Sequence, residues 1–211
     1  MLSLTEALTP FGVTNDDPFR TAMTNIQTSK HNMRIKKGVP LLVTCGADEA
    51  LPYLTSDTFA FKAKGNGKIV KKTDKFMVVE YTSGKSTNEQ QWVGKKREII
   101  DLRENVKKNS DGGFYITIKL ETKYKVGDRV KQGDILAYDP VVYSNSVGDP
   151  NTIGYNIGAI AKVAFINTDE GFEDSAIKSD RLADDLSSEV VVKIEKDLPK
   201  NTNIFTIATL S

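Results

Sequence analysis

The sequence predicts a mainly β protein with few helices. Three observations predict it. Short apolar runs recur between turn residues over most of the chain, the grammar of a β meander. Only two stretches carry helix start signals. The 211 residues, 39% hydrophobic and 27% charged, are enough for a soluble chain that buries its core between sheets or inside a barrel.

The first helix is expected in "TNDDPFRTAMTNIQTSK", residues 14–30. Asn15, Asp16 or Asp17 suits the N-cap, and Pro18 suits the first turn, where its missing N–H costs nothing. Phe19, Met23 and Ile26 then recur at about helical spacing. The second helix, "SDRLADDLSSE", is shorter, with Ser179 or Asp180 as its cap.

The strands follow from alternation. In residues 58–84, Phe59, Phe61 and Ala63 alternate, a Gly-Asn-Gly turn follows, then Ile69 and Val70, then "FMVVEY". In residues 110–124, Ile116, Ile118 and Leu120 take one side and Tyr115, Thr117, Lys119 and Glu121 the other. "GAIAKVAFIN", "SEVVVKIEKD" and "NIFTIATL" read as three more strands. The last of these simply stops, which suggests a fragment, a split subunit or a chain completed by a partner. Residues 83–105 break the pattern and read as a solvated loop or hairpin tip. Trp92 stands alone there beside the basic cluster Lys95, Lys96 and Arg97, for which a nucleic-acid contact is the competing reading.

Composition excludes several classes. A net charge of +1 gives no global field towards nucleic acid, so such contacts must be local. One cysteine, Cys45, allows no intrachain disulfide and points to a reducing compartment or to no use of disulfides. Its apolar neighbours "LLVT" make it a small buried hydrophobe rather than a nucleophile. One histidine, His31, leaves a catalytic triad little material. No apolar run approaches the length of a membrane helix, about 18 residues, and the start lacks the pattern of a secretory signal. A cytoplasmic location is the expectation.

Three motifs bear on chemistry. In "KVGDRVKQGDILA", residues 125–137, two turn-and-strand units lie six residues apart. Gly127 and Gly133 supply backbone freedom, and Asp128 and Asp134 bond their own turns. Val126, Val130, Ile135 and Leu136 are expected inside. The pattern is common in barrel-sandwich hybrid folds, including biotinyl and lipoyl carriers. The Met-Lys-Met setting of a carrier lysine is missing, so the motif reads as structural. In "NDDPFR", Arg20 near a helix start is placed to meet a phosphate, or to pair with Asp16 and Asp17. In "GFEDSAIKSDRL", Glu173 and Asp174 follow the apolar run "IAKVAFI". Paired acids there bind magnesium directly or through water, position cationic groups, cap the turn or stand in solvent.

Taken in order, these motifs resemble the β subunit of the multisubunit DNA-dependent RNA polymerases. "NDDPFRTAM" is similar to that family's "DD-x-x-R-x-x-M" helix. "KVGDRVKQGDILAYDP" is similar to its "G-(E/D)-x-V-x-x-GD-x-LA-x-x-P" segment, and "GYNIGAIAKVAFINTDEGFEDSAIKSDRL" to the segment carrying its FEDS motif. The resemblance spans about residues 14–182. It implies part of a double-psi β-barrel with an inserted barrel-sandwich hybrid-like segment. Residues 1–37 and 151–211 would then belong to the barrel and residues 38–150 to the insertion.

The resemblance implies roles. Arg20 would contact the triphosphate of the incoming nucleotide. Glu173 and Asp174 would lie near the second magnesium, and Gln27 and Lys30 would contact nucleic acid. The catalytic magnesium would be held mainly by a partner β′-like subunit carrying "NADFDGD", which this chain lacks, so the chain alone would not be an active nucleotidyltransferase. Expected partners are other β-like and β′-like subunits, the DNA template, the RNA product and nucleoside triphosphates, with no membrane. Divergence and short length fit a split β-like subunit encoded by a large bacteriophage, acting in the host cytoplasm or packaged in the virion. A non-catalytic barrel-sandwich hybrid scaffold or carrier-like module is the alternative.

Overall fold

A computed structural model of the chain describes residues 7–8, 35–85, 91–108, 115–166, 171, 175–189, 191, 197 and 200. In chain order the elements are β1 (Val39–Pro40), α1 (Ala47–Leu54), β2 (Ala60–Lys62), β3 (Asn66–Lys72), β4 (Phe76–Lys85), β5 (Gln91–Asp101), β6 (Asn105–Lys108), β7 (Tyr115–Ile118), β8 (Arg129–Val130), β9 (Ile135–Tyr138), β10 (Tyr143–Asn145), β11 (Ile153–Gly158) and α2 (Asp180–Asp185). The fold is mainly β, as expected.

The strands form four antiparallel sheets, ordered β5-β4-β3-β8, β1-β11-β10, β2-β9 and β6-β7. Among the described residues none of these sheets closes into a barrel. The boundary expected at residue 150 falls in the connection between two paired strands, β10 and β11.

The β2–β9 pair stands between two apolar clusters. On one side Ile69, Met77, Val79, Tyr81, Ile100, Val130 and Leu136 pack together. On the other side Leu51, Ala60, Ile135, Tyr143 and Ile153 do so, with Leu8 against them. Neighbouring residues Ile135 and Leu136 thus serve different cores, as the two-residue period of a strand requires.

The six-residue repeat is visible as geometry. Lys125 and Lys131 each donate their backbone N–H to the aspartate three residues on, Asp128 (2.7 Å) and Asp134 (2.8 Å). Gly127 and Gly133 take φ values of 97° and 91°, which side chains rarely tolerate. Each turn then docks by two backbone bonds. The Gly127 N–H donates to the Ile69 carbonyl and the Asp128 carbonyl accepts from the Ile69 N–H (2.8 and 2.9 Å), while the Gly133 N–H donates to the Ala63 carbonyl and the Asp134 carbonyl accepts from the Ala63 N–H (2.9 and 2.8 Å). Val130, Ile135 and Leu136 are buried as expected, but Val126 is 59% exposed. It lies in the turn itself, before the chain reaches the core.

Four other expectations need correction. Within the stretch expected to be a solvated loop or hairpin tip, residues 83–85 and 91–101 are strand. β4 and β5 pair from Phe76↔Asp101 to Lys85↔Gln91 in one long hairpin, whose polar residues face water. Asn66 and Gly67 of the expected turn belong to β3. A Cβ on Gly67 would stand 2.2 Å from the Glu80 carbonyl oxygen, so glycine is there for close approach to β4. Residues 159–166 form no strand, and Ile160, Val163, Phe165 and Ile166 are exposed. Strand bonding needs a neighbour, and no described residue pairs with this stretch. Finally, α1 was not expected. Its Pro52 argues against a helix, yet the residue sits late in an eight-residue element and packs into the interior.

The cap of α2 is Ser179, whose Oγ accepts from the Leu182 N–H at 3.2 Å. Of "SEVVVKIEKD", Val191 bridges Tyr115, whereas "NIFTIATL" and the expected helix at residues 14–30 lie outside the described residues. Cys45 is half-buried, and its thiol donates to Asp48 Oδ1 at 3.4 Å. Burial raises its pKa, as suits an inert thiol.

Candidate functional site

Arg20, Gln27, Lys30, Glu173 and Asp174 all lie outside the described residues, as does His31. The segments that flank them are described. Residues 36–40 follow the arginine motif, and they pair with residues that surround the acid motif. Val39 partners Gly158 and Pro40 partners Asn156 in the β1–β11 ladder. The Lys36 N–H donates to the Ser187 carbonyl at 2.7 Å. The Lys36 and Lys37 ammonium groups pair with Asp184 (3.0 Å) and Asp185 (2.6 Å) of α2. Residues 36–40 are thereby joined to the far end of the sequence at two places, one on each side of the acid motif.

The helix α2 owes its position to these contacts. It buries no residue, so cap and charges hold it rather than a hydrophobic face. The Lys36 hydrogen bond, and then its charge, keep the Asp184 carboxyl below the usual aspartate range. All these ammonium groups are exposed, so each pair adds little energy, and the backbone ladder defines the geometry.

A second concave feature lies on the long hairpin. Lys64, Tyr81, Lys85, Trp92, Lys96, Arg97, Glu98 and Gln132 line a cleft of about 560 Å³. Its floor is built on glycine. A Cβ on Gly84 would come within 2.7 Å of the Trp92 ring, and one on Gly65 within 3.0 Å. The indole therefore rests on bare backbone, packed against the larger core cluster. The Lys96 ammonium sits 4.3 Å from the ring centroid, a contact worth about 0.5–1 kcal/mol at an exposed site.

The charges in the cleft are unbalanced. Glu98 is the lone carboxylate among its lining residues, and it accepts from Lys64 and from the Tyr81 hydroxyl (3.1 Å). Burial, and then the Glu98 charge, push the Tyr81 pKa far up, so the phenol stays a donor. Arg97 is engaged by Glu80, with Nε and Nη2 each 2.9 Å from Oε2. The Arg97 hydrogen bond in turn holds the Glu80 pKa down. Lys85 and Lys96 form no ion pair among the described residues. Gln132 ties the Lys85 backbone to the second turn, accepting its N–H at 2.9 Å and donating to its carbonyl at 3.1 Å.

Sequence reasoning picked out Trp92 and the basic cluster but not Lys64, Lys85 or Gln132 as their neighbours. Those come from the register of a hairpin whose polar sequence reads as a solvated loop or hairpin tip. The one available signal was Gly84 across from a lone tryptophan, since glycine in a strand marks a close approach.

Among the described residues, no group of three or more histidine, cysteine, aspartate or glutamate side chains is placed to hold a metal ion. None of their helices is long and apolar enough to cross a membrane. No protein-family model matches the chain, and no curated protein matches it.

Proposed function

We propose that the chain is part of the β-like subunit of a multisubunit DNA-dependent RNA polymerase, contributing to the positioning of the nucleotide and the second magnesium during RNA synthesis. The observation that carries the reading is the joining of the two motif flanks. Residues 36–40 bond to residues 156–158 on one side of the acid motif and to residues 185–187 on the other. An active centre that draws Arg20 and the pair Glu173 and Asp174 together from opposite ends of the chain needs this kind of tie.

The chemistry is phosphoryl transfer, in which positioning and charge neutralisation do most of the work. Arg20 would hold the triphosphate through its planar fork of donors. Glu173 and Asp174 supply hard oxygen ligands of the type magnesium takes. Magnesium, when bound, neutralises charge on the phosphate oxygens. Gln27 and Lys30 would lie along the nucleic acid. In this reading the catalytic magnesium belongs to a β′-like partner, and residues 1–37 and 151–211 form a double-psi barrel around the inserted β body. The setting is the cytoplasm of a host cell.

The test is a polymerase reconstituted with the partner subunits that co-purify from infected cells. Arg20→Ala and Asp174→Ala should each lower kcat/KM for nucleotide by roughly 10- to 100-fold, the loss of one charge-assisted contact. The defect should be largest at low nucleotide. Unchanged elongation by both variants, or the absence of any polymerase subunit among the partners, would sink the proposal.

One observation favours the carrier-like alternative. Exposed Lys75 sits in the tight turn joining β3 and β4, closed by the Thr73 N–H donating to the Phe76 carbonyl at 2.9 Å. Asp74 and Phe76 flank it, not the methionines of a carrier setting. The intact mass of the same purified chain separates the two readings, because a carrier would bear a prosthetic group on Lys75.

A further inference from the structure

We infer that the cleft on the β4–β5 hairpin binds a single strand of nucleic acid through its phosphate backbone. The inference rests on the cleft alone and not on the polymerase reading. Four cationic side chains, Lys64, Lys85, Lys96 and Arg97, line it against one carboxylate, Glu98. That carboxylate is occupied by Lys64 and Tyr81, so the local field stays positive although the chain as a whole carries only +1. The excess continues beyond the cleft. Arg129, Lys68 and Glu80 are successive cross-strand partners on β8, β3 and β4, leading to Arg97 of the cleft, two further cations to one acid.

The type of ligand follows from which groups are free. The Arg97 fork, shaped to grip one carboxylate or phosphate in a fixed plane, is already taken by Glu80. What remains are the ammonium groups of Lys85 and Lys96. These are point charges suited to phosphates, whose contacts need no fixed plane. Lys96 is held over Trp92 and the Lys85 backbone is clamped by Gln132, so both are partly ordered before a ligand arrives. A strand that draws Lys96 off the ring would expose an indole face on which a base can stack. The cleft, about 560 Å³, has the size of a small-molecule pocket, room for a nucleotide or two of one strand but not for a duplex.

Trp92 is the sole tryptophan of the chain, so its emission reports this site and no other. The full chain would be titrated with a fluorescein-labelled thymidine 12-mer, following both label anisotropy and indole emission over a series of salt concentrations. Binding should change the Trp92 emission. The double variant Lys85→Gln, Lys96→Gln should reduce the slope of log affinity against log salt by about 1.4, at roughly 0.7 per phosphate contact. The variant Lys119→Gln, Lys162→Gln removes the same charge outside the cleft and should leave the slope unchanged. A thermal melt of each variant checks that it is folded. No binding, binding with unaltered indole emission, or equal losses in both variants would overturn the inference. So would equal affinity for a poly-glutamate peptide or for the duplex 12-mer. These outcomes leave the reconstituted-polymerase test untouched, and failure there leaves this one untouched.

Discussion

Two apolar stretches of the chain meet opposite fates. In the β body, Ile69, Met77, Val79, Ile100 and Leu136 are all 1% exposed or less. In the stretch before and after the acid motif, Ile160, Val163, Phe165, Ile166 and Ile177 are all more than half exposed, Phe165 completely. The difference is not in the residue types. β4 has β3 on one side and β5 on the other, so its backbone groups are bonded and its side chains are directed inward. Residues 159–166 have no strand partner among the described residues. An apolar, β-prone run becomes a strand only where a neighbour accepts its hydrogen bonds.

Truncations in the two stretches should differ most in their effect. Ile100→Ala removes a fully buried β5 side chain from the larger apolar cluster and should cost about 2–5 kcal/mol. Phe165→Ala, in the chain on its own, should stay within about 0.5 kcal/mol. Urea unfolding of the two variants measures both. A Phe165→Ala loss comparable to that of Ile100→Ala would show that the exposed stretch is packed in solution, and the contrast would fail.

A finer contrast lies inside the β body. The turns at Gly127 and Gly133 make the same bonds, one to β3 and one beside β2. Asp128→Ala and Asp134→Ala each delete one side-chain acceptor for a backbone N–H. Each should cost about 0.5–1.5 kcal/mol, and the two should match within error. Amide exchange at Lys125 and Lys131 should speed up only in the variant of its own turn. A much larger cost at one turn would mean that the repeat is a likeness of geometry without equal weight in stability.

The same contrast shows what the sequence could and could not reveal. The twin turns were legible, because glycine and aspartate at fixed offsets have a local mechanism that needs no distant partner. The Ser179 cap was legible for the same reason. The "FMVVEY" strand was legible because its alternation lies within the run. The β5 strand was hidden, since its exposed side is so polar that no period stands out in Lys95, Lys96, Arg97 and Glu98, and only pairing with β4 makes it a strand. α1 was hidden by Pro52, which tertiary packing tolerates. The run "IAKVAFI" was misjudged in the other direction, because apolarity alone does not supply a neighbouring strand. As to the site, the cleft requires residues from β4, β5 and the second turn at once, and only register brings them together. The tie between residues 36–40 and α2 spans some 148 positions, beyond any local pattern.

The smallest effect concerns two carboxylates, one in each region. Asp101 ends β5, where the Arg103 guanidinium, bonded to it at 2.6–3.2 Å, lowers its pKa to about 2. Asp184 on α2 is held below its usual value by Lys36, a residue brought from far away. Unfolded aspartate titrates near 3.9, so both groups have folded values below unfolded ones. Their contribution to stability is therefore present above about pH 4 and lost as pH falls through the folded values, near 2 for Asp101. Both pairs are exposed, so the loss is small for each. NMR titration of the carboxyl carbons reads them separately. Arg103→Gln should move Asp101 up towards the ordinary aspartate range and leave Asp184 alone, and Lys36→Gln should do the reverse. Acid should also speed exchange of the Lys36 amide, which bonds to Ser187, before it affects any amide of β4. If the two exchange together, α2 and the β body open as one unit, and the division between the regions does not extend to their stability.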